Sequence, residues 1–384
     1  MTNEKRKKLA RLMQVLLPLL VLTAMITASA SIQRREISSH VDAVFVKATV
    51  DNVLQDTAHG EPFAGNQRVE ATITTGQYRG MQCQLDNTNS YQRGALCLPG
   101  TRIIALVSQK ADGLKGSVYN YDRTGMVFLL IGLFSVSLIA VGGKKGAASL
   151  YALVFTFTCI ICLYIPLLYI GVHSITAAVL SAVVILVASI YILNGWSQKT
   201  GAAIIGTTIG VAVSGFLVTL MGQISCLSGY NMSDVESMVY IENYTNLDVG
   251  GILYAGVLIS SLGAVMDVSV SIVAAMQEIH EKSPKLGAKE LFVSGMHVGH
   301  DMMGTMSNTL ILAYTGSATG VLLTVYAYQM PFLQMMGYNS IIIEITCGLC
   351  GTIGVILTVP LQAAITAAML KLVPRTPARK NKTA

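Results

Sequence analysis

The sequence predicts an α-helical polytopic membrane protein of about eight transmembrane helices with a small extracytoplasmic β-rich domain near its N-terminus. Three observations carry that prediction. Of 384 residues, 53% are hydrophobic and only 12% charged, too little polar surface for a soluble chain of this length. Uncharged stretches near 20 residues recur along the chain, the length an α-helix needs to cross a bilayer. One interval of about ninety residues interrupts them with short β-branched runs punctuated by glycine.

The first apolar stretch, residues 12–32, follows a basic run of Lys5, Arg6, Lys7, Lys8 and Arg11. It reads as a retained first helix because its uncharged run reaches Ile32; the alternative is a cleaved signal peptide, for which Ala28-Ser29-Ala30 would be the processing site. Residues 1–32 are therefore the cytoplasmic N-terminus and first crossing, 33–122 the extracytoplasmic domain, 123–370 a seven-helix domain and 371–384 a basic cytoplasmic tail. The seven further spans are expected at 124–143, 147–170, 174–195, 201–224, 250–275, 302–327 and 346–370.

Charge supports the orientation independently. With the N-terminus inside, sixteen basic residues are cytoplasmic: the five above, Lys144, Lys145, Lys199, Lys282, Lys285, Lys289 and five in the tail. The other ten lie between Arg34 and Arg123, in an exported domain long enough to cross regardless of charge. Both termini are thus expected on the cytoplasmic side of the plasma membrane. The net charge of +6 points to anionic lipid headgroups as partner and not to nucleic acid.

In the exported domain, strand-like runs at 44–53, 68–75, 81–85, 102–107 and 117–121 suggest a little barrel or sandwich, the five-stranded Greek-key barrel among the options. Cys83 and Cys97 lie there on the oxidising side, where a disulfide is expected and two buried free thiols are the alternative. The pairs Cys159/Cys162 and Cys347/Cys350 lie in apolar stretches without nearby basic residues, so they read as small packing residues and not as redox centres.

Glycines at 206 and 210 predict close helix packing in the fifth span. In the sixth, Gly256, Ser260, Gly263, Asp267, Ser271 and Ala274 recur at helical spacing and form one stripe. In the seventh, Asp301, Thr305, Asn308 and Thr309 fall on one face, which must be hidden from lipid against protein or water. Carboxylates are expensive in a bilayer and mark transport paths, so Asp267, Asp301, Thr305, Asn308, Thr309, Ser260 and Ser271 are candidates for binding an unidentified ion or small solute. Asp267 is read equally well as a structural acid bonded to a neighbouring helix, and Asp301 as a helix N-cap. His297 and His300, with Glu278, His280 and Asp301, form a weaker candidate for a metal site. The acids Asp234, Glu236, Glu242 and Asp248 of an outer loop read as an ordinary translocated loop.

Three runs, Ser-Leu-Gly-Ala-Val-Met-Asp at 261–267, Gly-His-Asp-Met-Met-Gly-Thr-Met-Ser-Asn-Thr-Leu-Ile-Leu-Ala-Tyr at 299–314 and Gly-Thr-Ile-Gly-Val-Ile-Leu-Thr-Val-Pro at 351–360, resemble the YibE/F family of bacterial membrane proteins. The Tyr121-Asp122-Arg123 junction and the Gly-Gly-Lys-Lys-Gly turn at 142–146 extend the resemblance. It implies a multi-pass fold without implying a substrate, and the family's pattern often has Arg where this chain has His300.

The expected function is a secondary transporter or permease, with a non-transporting scaffold, sensor or accessory subunit as the alternative. No enzyme activity and no cofactor are expected, because the P-loop, His-Glu-x-x-His and Gly-x-Ser-x-Gly patterns are all missing. A second copy or a partner membrane subunit is the expected protein partner.

Overall fold

The computed structural model describes residues 3–32, 43–57, 65–89, 94–110 and 113–372. The chain divides into two compact units, residues 36–141 and residues 1–35 with 142–384. The division falls inside a helix and not at residue 123.

The smaller unit is built on five strands: β1 (Ala43–Asp56), β2 (Gly65–Ile73), β3 (Gln82–Asn89), β4 (Arg102–Lys110) and β5 (Gly113–Tyr121). They close into a barrel in the order β1-β2-β3-β5-β4, with β4 returning to β1. Only β3 and β5 run parallel; the other pairs are antiparallel. This is the five-stranded Greek-key barrel among the sequence options. Period-2 alternation drives it: Val46, Ala48 and Val50 of β1, Val69, Ala71 and Ile73 of β2 and Ile103, Ala105 and Val107 of β4 all point into one buried core.

A polar knot sits at one side of that core. Gln67 donates to Asp56 Oδ2 at 3.0 Å and to the Cys97 carbonyl at 3.2 Å, while Asn87 donates to Gln67 Oε1 at 3.0 Å and to the Ala95 carbonyl at 2.6 Å. These bonds hold the β3–β4 connection over the barrel. Cys83 and Cys97 are free thiols, which corrects the expected disulfide: each is buried in the core, and each donates to a backbone carbonyl, of Ala71 and Ala95 respectively. Burial pushes both thiols up to about 11, helped by the charges of Asp51 beside Cys83 and Asp56 beside Cys97.

The Tyr121-Asp122-Arg123 junction has a structural task. Asp122 accepts from the Thr124 amide at 3.0 Å, starting the next helix, and pairs with Lys47 of β1 at 3.1 Å. The Tyr121 hydroxyl accepts from the Leu96 amide at 2.8 Å, and Arg123 lies 5.5 Å from the Tyr121 ring. Barrel and helix start are thereby clamped together.

Helices make up the larger unit: α1 (Asn3–Ala30), the latter part of α2 (Thr124–Cys159), a π-turn at Ile160–Tyr164, α3 (Ile165–Tyr169), α4 (Ser174–Asn194), α5 (Gln198–Ile224), α6 (Val235–Glu242), α7 (Val249–Lys282), α8 (Ala288–Ser317), α9 (Thr319–Ala327), α10 (Phe332–Met336) and α11 (Asn339–Leu372). Among the described residues six helical stretches are long and apolar enough to cross a membrane, and the pair α8/α9, bent by 62°, makes a seventh. The sequence suggested eight. The difference lies in the 46 residues of Thr124–Tyr169, where two helical segments meet at Gly143, whose φ 54°, ψ −129° are not helical. At about 1.5 Å per residue the two segments together are long enough to cross hydrocarbon twice.

The glycine pair of α5 packs as expected. A Cβ at Gly206 would collide with the Gln362 amide, its Cδ at 2.5 Å, and one at Gly210 with Val265 at 2.8 Å and Thr358 Cβ at 3.1 Å. Helix α11 answers with Gly354, where a Cβ would lie 2.6 Å from Ser214 Cβ. Close backbone approach replaces the hydrophobic effect as the source of cohesion between apolar helices. Helix α1 joins this unit through Gln14, which donates to the Ile192 carbonyl at 2.8 Å, and through Met25, whose sulfur meets Cys159 Sγ at 3.9 Å.

Candidate functional site

Helices α7 and α8 are antiparallel neighbours joined by the short turn at 283–287. Their contacts fix a register. A Cβ on Gly295 would meet Met276 Sδ at 2.5 Å, one on Gly299 would meet Ile272 Cδ1 at 3.3 Å, and Ser260 Oγ lies 2.8 Å from the Tyr314 hydroxyl. That register puts Asp267 at the depth of Gly304 to Ser307, level with Thr305 and about one turn from Asn308. The two stripes read from the sequence are therefore brought to the same depth of one helix pair.

They do not bond to each other. Asp267, Asp301 and Asn308 have no hydrogen-bond or ion-pair partner among the described residues, and all three are exposed on the surface of the single chain. Thr305 and Thr309 are also exposed and return their hydroxyls to carbonyls of their own helix, Met302 and Thr305, at 2.9 Å each. Nothing lies within 4 Å of a Cβ placed on Gly256, Gly263 or Gly304. The small-residue stripe of α7 and the polar face of α8 are open, while the opposite side of α7, with Val265, Val268 and Ile272 fully buried, packs the core. Ser271 is half-buried and makes no side-chain bond; Ser307 at the Asp267 depth has a buried Oγ without a partner.

Asp301 is not an N-cap. Helix α8 starts at Ala288, more than three turns earlier, where the Gly287 amide donates to Glu290 Oε2 at 2.7 Å. Hydropathy missed this start because Lys289 and Glu290 mask it. His297 and His300 are both exposed along α8, and no group of three or more His, Cys, Asp or Glu among the described residues could hold a metal ion. The described residues do not gather His297 and His300 into such a group.

Two polar residues escaped the sequence reading. Glu344 lies in the second turn of α11, ahead of the expected span, and bonds the Ser317 hydroxyl across to α8. Gln362 is fully buried in the same helix, donating to the Ala202 carbonyl and to Thr366 at 3.0 Å each while its Oε1 finds no partner. The acids between α5 and α7 also separate: Asp248 caps α7 through the Gly251 amide and takes the Ser174 amide of α4, both at 3.2 Å, and Glu242 accepts from Tyr230 at 2.8 Å.

The model of the YibE/F-like protein family matches residues 130–372, more than half of the chain and the whole of α4 to α11 as described. The chain belongs to the YibE/F-like family. No curated protein and no solved structure matches this YibE/F-like protein. The family match covers both stripes of the α7/α8 pair and stops short of the barrel, which begins and ends before residue 130.

Proposed function

We propose that this YibE/F-like protein is a multi-pass membrane protein acting as a secondary transporter or permease for an ion or small solute, whose path runs along the α7/α8 pair. The observation that carries this reading is the level placement of Asp267 with Thr305, unpartnered, in helices apolar enough to cross a bilayer. An aspartate at the centre of a membrane helix costs about 2.5–3.5 kcal/mol to insert, so a chain that keeps one there without an internal partner keeps it for water, a cation or a proton. In this reading the two segments of Thr124–Tyr169 cross separately, with the turn at Gly143, giving eight crossings, with both termini cytoplasmic and the barrel outside. Gradient coupling drives any pumping, the protein is not an enzyme, and a second copy or a partner subunit covers the open stripe.

Flux of a panel of metal ions and protons into proteoliposomes tests the reading. Wild type is expected to move at least one of them, and Asp267→Asn to lose about an order of magnitude of that flux. Equal flux in both proteins removes Asp267 from the mechanism.

The alternative, a non-transporting scaffold or accessory subunit, is favoured by one observation: Val265, Val268, Ile272, Val355 and Val359 close the centre of the helical unit with no measurable exposure. A cysteine placed at Asn308 in a variant without native cysteines separates the two. Labelling by a membrane-impermeant reagent supports the path; protection supports the scaffold.

A further inference from the structure

A cavity of about 280 Å³ opens among α8, α9, α10 and α11, remote in sequence from Asp267. Its walls are aliphatic, with Ile311, Val321, Leu322, Met335, Ile345 and Leu349 among them. Three polar side chains, Glu344, Tyr314 and Thr315, interrupt this lining. Glu344 contributes a half-buried carboxylate held by the Ser317 hydroxyl, and Tyr314 contributes an aromatic ring whose hydroxyl is fixed by Ser260 at 2.8 Å.

No Lys, Arg or His occurs between Asp301 and Leu370, so none of the elements forming the cavity from that stretch supplies a counter-charge to Glu344. A carboxylate in a largely apolar pocket calls for a cation to offset the cost of its desolvation. A hard metal ion does not fit, since it requires six or more oxygen ligands and the side chains of this lining offer one carboxylate and the hydroxyls of Tyr314 and Thr315. A lipid chain would fill the aliphatic walls and leave the carboxylate unused. An ammonium carrying an apolar body uses the carboxylate, the ring and the aliphatic walls together: charge against Glu344, the cation against the Tyr314 face, hydrocarbon against the aliphatic side chains.

We propose that this cavity is a binding site for an apolar organic cation, with Glu344 as its counter-ion and Tyr314 as its aromatic wall. The site goes beyond the transport reading, because it requires neither Asp267 nor any flux.

Equilibrium dialysis of the full chain in nanodiscs, against empty nanodiscs, tests it with two probes of one shape: benzyltrimethylammonium and its uncharged isostere neopentylbenzene. Wild type is expected to bind the cation saturably and more tightly than the isostere. Glu344→Gln should weaken the cation about tenfold or more while leaving the isostere unchanged, which also reports that the cavity is intact. Leu349→Trp, which fills the cavity, should abolish saturable binding of both probes. The proposal is overturned if wild type binds no cation saturably, if the isostere binds wild type as tightly as the cation, or if Glu344→Gln binds the cation like wild type. Should Glu344→Gln not fold, cation binding by Leu349→Trp at wild-type strength overturns it equally. Loss of flux in Asp267→Asn has no bearing on these outcomes, so the two proposals fail separately.

Discussion

Replacing Asp248 removes two helix caps at once, because its two carboxylate oxygens serve different helices. Oδ1 accepts from the Gly251 amide in the first turn of α7, and Oδ2 accepts from the Ser174 amide at the start of α4, each at 3.2 Å. A side-chain cap contributes about 1 kcal/mol, so Asp248→Ala should cost about 2 kcal/mol. His173 at 3.6 Å adds little, since its side chain is 64% exposed and such pairs contribute at most about 1 kcal/mol. Asp248→Asn has one carbonyl oxygen in place of two carboxylate oxygens, keeps one cap and should cost about half as much. The Ser174 hydroxyl, which donates to the Asp248 carbonyl at 2.7 Å, survives both changes and keeps the two segments in contact. Equilibrium unfolding in mixed micelles of rising denaturing-detergent fraction reads the three proteins in order. If Asn costs as much as Ala, or if neither differs from wild type, the shared cap does not hold α4 to α7.

Three further outcomes follow from the same geometry. Hydrogen bonds from Thr124 and the Lys47 ammonium hold the Asp122 carboxyl below its ordinary value, so its contribution is complete above about pH 4 and is lost as pH falls through the lowered value. Amide exchange at the start of α2 should accelerate over that acid window in wild type and show no such step in Asp122→Asn. Cys83 and Cys97, both pushed to about 11, are almost entirely thiols at neutral pH, so an alkylating reagent should modify both in denatured, unreduced protein and neither in native protein. In micelles, Gly206→Ala should cost about 1–3 kcal/mol by forcing a methyl onto the Gln362 amide. Gly263→Ala, with open space at its Cβ, should leave the single-chain fold unchanged or gain up to about 1 kcal/mol from helix propensity; the reverse order refutes the packing described for α5 and α7.

What was legible in the sequence is what a one-dimensional period can encode. All five strands stand where alternation placed them, because a small barrel has one buried face and a slip of one residue would turn Val46, Val69 and Ile103 outward. The apolar runs of α4, α5 and α7 likewise announce themselves by length. Features set by a second element did not. Glu344 looked like loop because its helix begins before its apolar run. Helix α8 looked short because its charged first turns do not resemble a span. Asp248 read as one acid of a loop because its second partner, Ser174, is 74 residues away in sequence. The cysteines were spaced for a bridge, yet each thiol sits in its own contact within the barrel core.

On the transport reading proposed above, lipid decides what must cover the open polar face of the candidate site. Asp267, Asp301 and Asn308 have no partner among the described residues, and each lies on the surface of the single chain. Facing hydrocarbon, the two aspartates alone would cost about 5–7 kcal/mol, comparable to the whole stability of many folded proteins. Hydrogen bonds within the helix relieve Thr305 and Thr309 but do nothing for the acids. Water can relieve them only along a continuous polar surface, and the α8 face from His297 through Asp301 and Thr305 to Asn308 is such a surface, beginning near the Lys289 end of the helix. Protein can relieve them only by approaching closely, which Gly256, Gly263 and Gly304 allow because nothing occupies the space above them. A small-residue groove beside a polar ridge has room for both at once: a covering helix seated on the glycines, and a wet seam between that helix and the α8 ridge with Asp267 level with Thr305, near the seam's Asn308 end.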